Sequence, residues 1–164
     1  MSKYNINDLV MHSREGLSKI FSIITMGDKE YYLVHSIRGS GDNIYVPVER
    51  ADGIIRNIMS EKEADELLKF MKTIEKDFNT NTKQRRDNFK RRLNSGDIHD
   101  IAYLCCQLYF YNDLDHETDE YKLGAMDLDM LNFADTYLND ELMLSYNVSA
   151  DNIHDFILKR IKKL

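Results

Sequence analysis

The sequence contains 164 residues, 43% hydrophobic and 30% charged, which suits one ordinary domain or two small ones and argues against global disorder. The formal net charge of −6 excludes general charge-driven binding to nucleic acid, so any contact with phosphate has to be local. No apolar run approaches the ~20 residues of a membrane span, and the opening MSKYNINDLV lacks the apolar core of a signal peptide, so we expect a cytoplasmic protein that makes no membrane contact.

Residues 4–58 are predicted to form β-strands. Three segments rich in Ile, Val, Tyr and Phe are separated by glycine-containing turns: LSKIFSIITM (17–26), KEYYLVHSI (29–37) and NIYVPVE (43–49). This turn spacing is typical of a small barrel or an open curled sheet. The only proline, Pro47, removes a backbone donor and therefore predicts that the third segment lies at a sheet edge. An exposed edge can accept a strand from another protein.

The hydrophobic period changes near residue 60 to that of a helix, which predicts domains at residues 1–58 and 59–164. Ser60 and Glu63 form a capping-box signature. The first helix is then expected to bury Ala64, Leu67, Leu68, Met71, Ile74 and Phe78. Later helix boundaries are predicted from caps: Thr80 or Asn81 at one start, Gly96 at its end, and Asp97 and Asp151 at two further starts. Expected inward positions are Ile98, Ile101, Ala102, Cys105 and Leu108 in one helix, and Leu131, Ala134, Leu138 and Leu142 in the helix over residues 123–145.

The stretch KQRRDNFKRRLNSGD (83–97) concentrates basic residues in an acidic chain. On a helix, Arg85, Asn88 and Arg92 share one stripe, while Arg86 and Lys90 share its neighbour. One interpretation is a small phosphate-binding patch, because the arginine fork matches phosphate oxygens. The other is a solvated helix face paired with the last third of the chain, where residues 112–164 hold twelve acidic and five basic residues.

Motifs of catalysis or cofactor binding are absent from the sequence: it contains no Walker A, GxGxxG, HExxH or CxxC pattern. The adjacent Cys105 and Cys106 are expected to pack as small apolar side chains in a reducing compartment. His116, Glu117 and Asp119 could suggest a metal site, but an acidic surface loop is the favoured interpretation. We therefore expect no enzyme activity, no cofactor and no small-molecule substrate.

The order of several short motifs resembles the CarD/CdnL family of bacterial transcription regulators over about residues 4–142. The segments that carry the resemblance are INDLVMHSREGLSKIFSI, KEYYLV, IYVPVE, LNSGD and LGAMDLDMLNFADTYLNDEL. The resemblance implies an α+β protein, with a small Tudor-like β-barrel that binds the RNA polymerase β subunit through an exposed strand. It implies a compact all-helical C-terminal domain that contacts promoter DNA at the upstream edge of the bubble and stabilises the open complex.

The resemblance also implies positions for both contacts. The polymerase-binding residues would be Ile23, Thr25, Ile44, Tyr45 and Val46. The DNA-binding residues would be Thr82, Lys83, Arg85, Arg86, Lys90 and Arg92. Thr82 stands where family members commonly have a wedging tryptophan, and Tyr45 stands where an arginine is often found. A second basic stretch of the family reads here as Tyr109-Phe110-Tyr111, followed by an acidic insertion at 112–122.

Two further hypotheses remain open from the sequence. In the first, the protein is an adaptor whose acidic last third binds a second protein on the polymerase and whose chain leaves DNA untouched. In the second, it is a small enzyme with a cleft near Tyr109–Tyr111. The same three aromatic residues could instead pack between helices or replace the missing wedge.

Overall fold

The structure is a computed structural model that describes residues 3–39, 41–75, 79–113 and 122–164. The chain divides into two compact units, Met1–Ile58 and Met59–Leu164. The first is built on a β-sheet and the second on α-helices, which confirms the α+β class. Among the described residues, every helix is too short or too polar to cross a bilayer.

The first unit is a five-stranded antiparallel sheet. Its strands are β1 Leu9–His12, β2 Gly16–Met26, β3 Lys29–Ser36, β4 Ile44–Pro47 and β5 Ile55–Asn57, with a 3-10 helix at Val48–Gly53 before β5. The strand order is β4-β3-β2-β1-β5, so β4 lies at one edge and confirms the edge prediction from Pro47. The order is linear and the described sheet is not closed, so the open-sheet alternative is observed and the Tudor-like barrel is not confirmed.

One face of this sheet carries the core of the unit. Its buried residues come from every strand and from the flanking segments: Tyr4, Val10, Ile20, Tyr32, Val34, Val46, Ala51 and Ile55. Gly27 closes the tight turn between β2 and β3 with a φ of 66°, a conformation that favours glycine. Because side chains alternate across a strand, the neighbours of these core residues face the opposite side of the sheet.

The described residues of the second unit form five helices. They are α1 Glu61–Thr73, α2 Thr82–Asn94, α3 Ile98–Asp113, α4 Ala125–Tyr146 and α5 Ile153–Lys163. Helix α1 begins with the predicted capping box, in which the Ser60 hydroxyl accepts from the backbone N–H of Glu63 at 3.1 Å. Four of its predicted core residues are buried, whereas Ile74 lies past its end and Phe78 lies outside the described residues.

The predicted caps of α2 and α3 are also observed. The Asn81 side chain accepts from the backbone N–H of Gln84 at 3.0 Å, and Gly96 has a φ of 75° just after α2. The Asp97 carboxylate accepts from the backbone N–H of His99 at 2.8 Å, and this hydrogen bond holds the pKa of Asp97 below its ordinary value. The prediction for Asp151 is wrong, because Asn152 precedes α5 and makes no side-chain capping bond.

Helices α3 and α4 form the centre of the helical core. Their buried apolar residues include all the predicted inward positions except Ile98, which is half-buried at the start of α3. Cys105 is fully buried and Cys106 half-buried, and burial raises the pKa of both thiols, that of Cys106 to about 11. Both cysteines therefore pack as neutral side chains, as predicted.

Helix α2 is held against α4 by a buried ion pair. Arg85 is only 4% exposed, and its guanidinium lies 3.0 Å from the carboxylate of Asp127, which is fully buried. Arg85 also donates to the backbone oxygen of Asn79 at 2.9 Å. Asp127 accepts further from the backbone N–H of Gly124 at 3.3 Å, and Arg86 lies 3.7 Å from its other oxygen. Asp127 therefore both caps the start of α4 and places a carboxylate against the buried Arg85 guanidinium.

Replacing Arg85 alone is expected to destabilise the helical unit strongly. In Arg85→Met, Asp127 is left buried without its closest cation, a change that typically costs roughly 3–5 kcal/mol. The double variant Arg85→Met/Asp127→Asn removes both charges but keeps an acceptor for Gly124, so it should recover part of the loss. Urea unfolding followed by helical circular dichroism measures both effects.

Lys90→Met is the matched control, because Lys90 is exposed on the same helix and should change stability by no more than about 0.5 kcal/mol. An Arg85→Met midpoint equal to that of Lys90→Met would contradict the structural role of the pair.

Candidate functional site

The five predicted polymerase-binding residues lie on β2 and β4 but do not share one environment. Thr25 and Tyr45 are exposed, and Tyr45 retains 49% of its accessible surface. Ile23 and Ile44 are partly buried against the core of the sheet unit. Val46 is fully buried. The set is therefore a mixture of surface and core positions.

Val46 does not offer its side chain to a partner. It pairs with the buried Tyr32 across β3 and β4, so both side chains point into the core. Tyr45, one residue earlier, points to the opposite face beside Leu33. What β4 presents is thus its backbone edge and the Tyr45 side chain, and a Val46 substitution would test folding rather than binding.

Phe21, the most exposed aromatic residue on the Tyr45 side of the sheet, was not among the residues predicted to bind a partner. The register between β2 and β3 shifts between Ile20 and Ser22, which leaves Phe21 as the extra residue of a β-bulge. Phe21 is 57% exposed and stacks on His35 at a ring-centroid distance of 4.6 Å. Phe21, Leu33 and Tyr45 together give the outer face an apolar character, and Leu33 is only half-buried. The order of apolar and polar residues in KIFSII does not indicate where the bulge lies.

The basic helix α2 has two unlike sides. Lys83, Lys90 and Arg91 are exposed, and Arg86 is partly exposed. At about 100° per residue these four positions fall on one side of the helix, together with the exposed Asp87. Thr82, the first residue of α2, is exposed as well. We refer to Lys83, Arg86, Lys90 and Arg91 as the outer cations of α2.

The stripe predicted to contact phosphate is instead the inner side of α2. Arg85 is buried against Asp127, so its guanidinium does not face solvent and we leave it out of the proposed phosphate contact. Arg92 is mostly covered: its guanidinium lies 2.6 Å from the Asp100 carboxylate and 3.7 Å from the centroid of the Tyr103 ring. Phe89 is buried on the same side. Pairing with the acidic last third is observed for Arg85, and in part for Arg86, through Asp127, although Arg85 is buried rather than solvated. Arg92 pairs instead with Asp100, which lies outside residues 112–164.

The aromatic residues at 109–111 pack among the helices. Tyr109 is half-buried and donates its hydroxyl to Asp135 of α4 at 2.8 Å. Burial and the Asp135 carboxylate raise the pKa of Tyr109 well above its ordinary value. Its ring also contacts His154 of α5 edge-on at 5.7 Å. Phe110 and Tyr111 are half-buried and engaged with other residues. The packing alternative is thus confirmed for Tyr109.

The remaining motif of the sequence analysis concerns metal binding. His116, Glu117, Asp119 and most of the acidic insertion lie outside the described residues. Within the described ranges, no group of three or more His, Cys, Asp or Glu residues is arranged to hold a metal ion.

Two family matches together cover nearly the whole chain. Residues 4–59 match the family described as "CarD-like/TRCF RID domain", and residues 66–158 match "CarD, C-terminal domain". The first match coincides with the sheet unit and the second with the helical unit. No curated protein matches the sequence. The chain therefore belongs to the CarD-like family of RNA polymerase-associated transcription regulators.

Proposed function

We propose that the chain binds the RNA polymerase β subunit through β4 and stabilises the promoter open complex through the outer cations of α2. The helical unit would contact DNA at the upstream edge of the bubble. The observation that carries the DNA part is the clustering of four cations on one side of α2, in a chain whose net charge is −6. The exposed edge of β4 carries the polymerase part.

The β4 edge supports strand addition. In the described sheet β4 pairs only with β3, so its other side presents backbone groups that a partner strand can bind. Backbone hydrogen bonds supply affinity in this mode, and alternate side chains supply specificity. Tyr45 is the exposed side chain at the centre of β4, and Phe21 adds a second aromatic contact on the sheet face. Exposed aromatic residues of this kind are typical anchors of protein interfaces.

The outer cations support a weak, local contact with phosphate. If about three of them each neutralise a phosphate, log K should fall with log salt at a slope of about −2.7. Such binding is insufficient for a free acidic protein. Once the sheet unit is bound to polymerase, however, DNA is present at an effective concentration on the order of millimolar, and a weak contact then suffices.

The placement of Thr82 bears on the type of DNA contact. It is exposed at the first residue of α2, where the family commonly has tryptophan. Threonine offers little area to replace an unstacked base. The proposed contribution of α2 is therefore electrostatic rather than that of an aromatic wedge.

A second candidate is an adaptor that binds polymerase without contacting DNA. The observation in its favour is the pairing of Arg85, Arg86 and Arg92 with Asp127 and Asp100, which reduces the charge available to phosphate. The two candidates differ in whether the remaining outer cations affect promoter complexes.

Tyr45→Glu is expected to weaken capture of purified RNA polymerase by more than about tenfold. The variant places a carboxylate in an interface that excludes water, and removing an unpaired charge from water is costly. Tyr45 is exposed, so the fold should persist, as circular dichroism can verify. Ile6→Glu is the control, since Ile6 is equally exposed in the same unit but outside the sheet strands. Equal capture of the two variants would mean that β4 is not the binding strand.

The triple variant Lys83→Ala/Lys90→Ala/Arg91→Ala should retain polymerase capture but shorten the open-complex lifetime in a competitor challenge. Its matched control is Lys159→Ala/Lys162→Ala/Lys163→Ala, which removes the same charge from exposed positions of α5. The log–log salt dependence of half-maximal stabilisation should flatten by about 2.7 only in the α2 variant. Identical lifetimes for the two triple variants would favour the adaptor.

A further inference from the structure

The helical unit contains a cavity of about 220 Å³ between α2, α3 and the start of α4. Its walls combine aromatic, apolar and amide side chains, among them Asn88, Phe89, Tyr103, Gln107 and Leu131. This volume corresponds to about seven waters at ~30 Å³ each. It is smaller than a typical site for a drug-sized ligand and is suited to one small ring system. The cavity lies on the inner side of α2, the side opposite to the outer cations.

Gln107 is the most informative residue of this cavity. It lies on α3 and is only 6% exposed. Its side chain makes no hydrogen bond to any residue in the described parts of the chain, and its amide is not among the fully buried unsatisfied groups, so the amide is accessible from the cavity. A buried carboxamide normally satisfies both its donor and its acceptor. An occupant with a neighbouring donor and acceptor would satisfy both at once.

Asn88 adds a second amide to the cavity wall. Its side-chain oxygen accepts from Arg91 at 2.7 Å and from Arg92 at 3.3 Å. Its side-chain nitrogen donates to no residue within the described ranges. The cavity therefore offers one complete amide and one additional N–H donor to an occupant.

The two arginines at the cavity are each paired with a carboxylate. This pairing indicates which chemical class of occupant the cavity suits. Arg85 lines the cavity, but Asp127 neutralises it at 3.0 Å. The Arg92 guanidinium is neutralised by Asp100 and stacks on the Tyr103 ring. Because these cations already have anionic partners, the cavity is not built for a phosphate. Aromatic walls with amide groups favour a neutral planar heterocycle.

We propose that this cavity binds a single nucleobase, with Gln107 hydrogen-bonding to its edge and Phe89 or Tyr103 against its face. Nucleobases carry adjacent donors and acceptors, and base–aromatic stacking is the general way in which proteins hold an unpaired base. Two sources share this chemistry: an unpaired base of the promoter bubble, and a free nucleoside. Only the first source rests on the proposed function.

The first experiment titrates thymidine, cytidine and adenosine into the full chain and follows the side-chain amide signals of Gln107 by NMR. The variant is Gln107→Leu, which keeps the volume but removes the hydrogen-bonding groups. We expect nucleoside binding to weaken about tenfold or more, while the unfolding midpoint stays close to that of the wild type, because Gln107 has no hydrogen bond to lose within the described residues. Gln84→Leu makes the same chemical change on the exposed side of α2 and should bind as the wild type.

The second experiment identifies the source. Polymerase-bound wild type is tested on forked DNA with an unpaired thymidine at the junction and on the same fork with an abasic site there. A preference of about tenfold for the thymidine fork, lost in Gln107→Leu, assigns the cavity to a DNA base. Nucleoside binding without this preference assigns it to a free nucleoside.

The proposal is overturned if nucleosides leave the Gln107 signals unchanged, or if Gln107→Leu binds them as tightly as the wild type. Either result leaves the proposed function intact, since the outer cations of α2 are tested separately. Conversely, loss of every DNA effect would remove the proposed function while the nucleoside titration still tests the cavity.

Discussion

The arrangement of the helical unit depends on the buried pair between Arg85 and Asp127. A guanidinium and a carboxylate removed from water are stable only together, so the rotation of α2 about its axis is restricted to one that brings Arg85 inward. Phe89, one turn later, is buried by the same rotation. Lys83 and Lys90 are then turned to solvent. A basic helix is in this way divided into a structural side and a solvent side by one ion pair.

This division changes the meaning of the basic segment. The number of basic residues in the sequence overstates the charge that is available to bind DNA. Arg85 and Arg92 form ion pairs with acidic residues of the same unit. What remains outside is a small electrostatic surface. A weak surface is consistent with the proposed function, in which β4 and its exposed Tyr45 would supply attachment and the helical unit would need only to be brought near its target.

Local signals in the sequence predicted the parts of the fold that depend on neighbouring residues. The Ser60 capping box, the Asn81 cap and the positive φ of Gly96 all act within a few residues, and each is present as expected. Pro47 identified the edge strand because a missing N–H has the same consequence in any sheet. The inward positions of α4 followed from helical periodicity alone.

The sequence was least informative about residues whose contacts lie far away along the chain or depend on an irregular strand. Arg85 was assigned to a phosphate contact from its helical stripe and from the family resemblance, whereas its partner Asp127 lies 42 residues later on another helix. Phe21 was missed because a β-bulge interrupts the alternation from which strand faces are predicted. The cavity at Gln107 could not be predicted from the sequence, since it forms only when residues of three helices are brought together. The candidate site was therefore less predictable than the fold.

The most direct test of the account is site-specific photocrosslinking in a polymerase–promoter complex. A photoreactive residue at position 90, on the solvent side of α2, is compared with one at position 158, which is exposed on α5. The account predicts a DNA adduct at the upstream edge of the bubble from position 90 and a much weaker one from position 158. Equal yields from the two positions, or adducts from position 90 with protein alone, would contradict it.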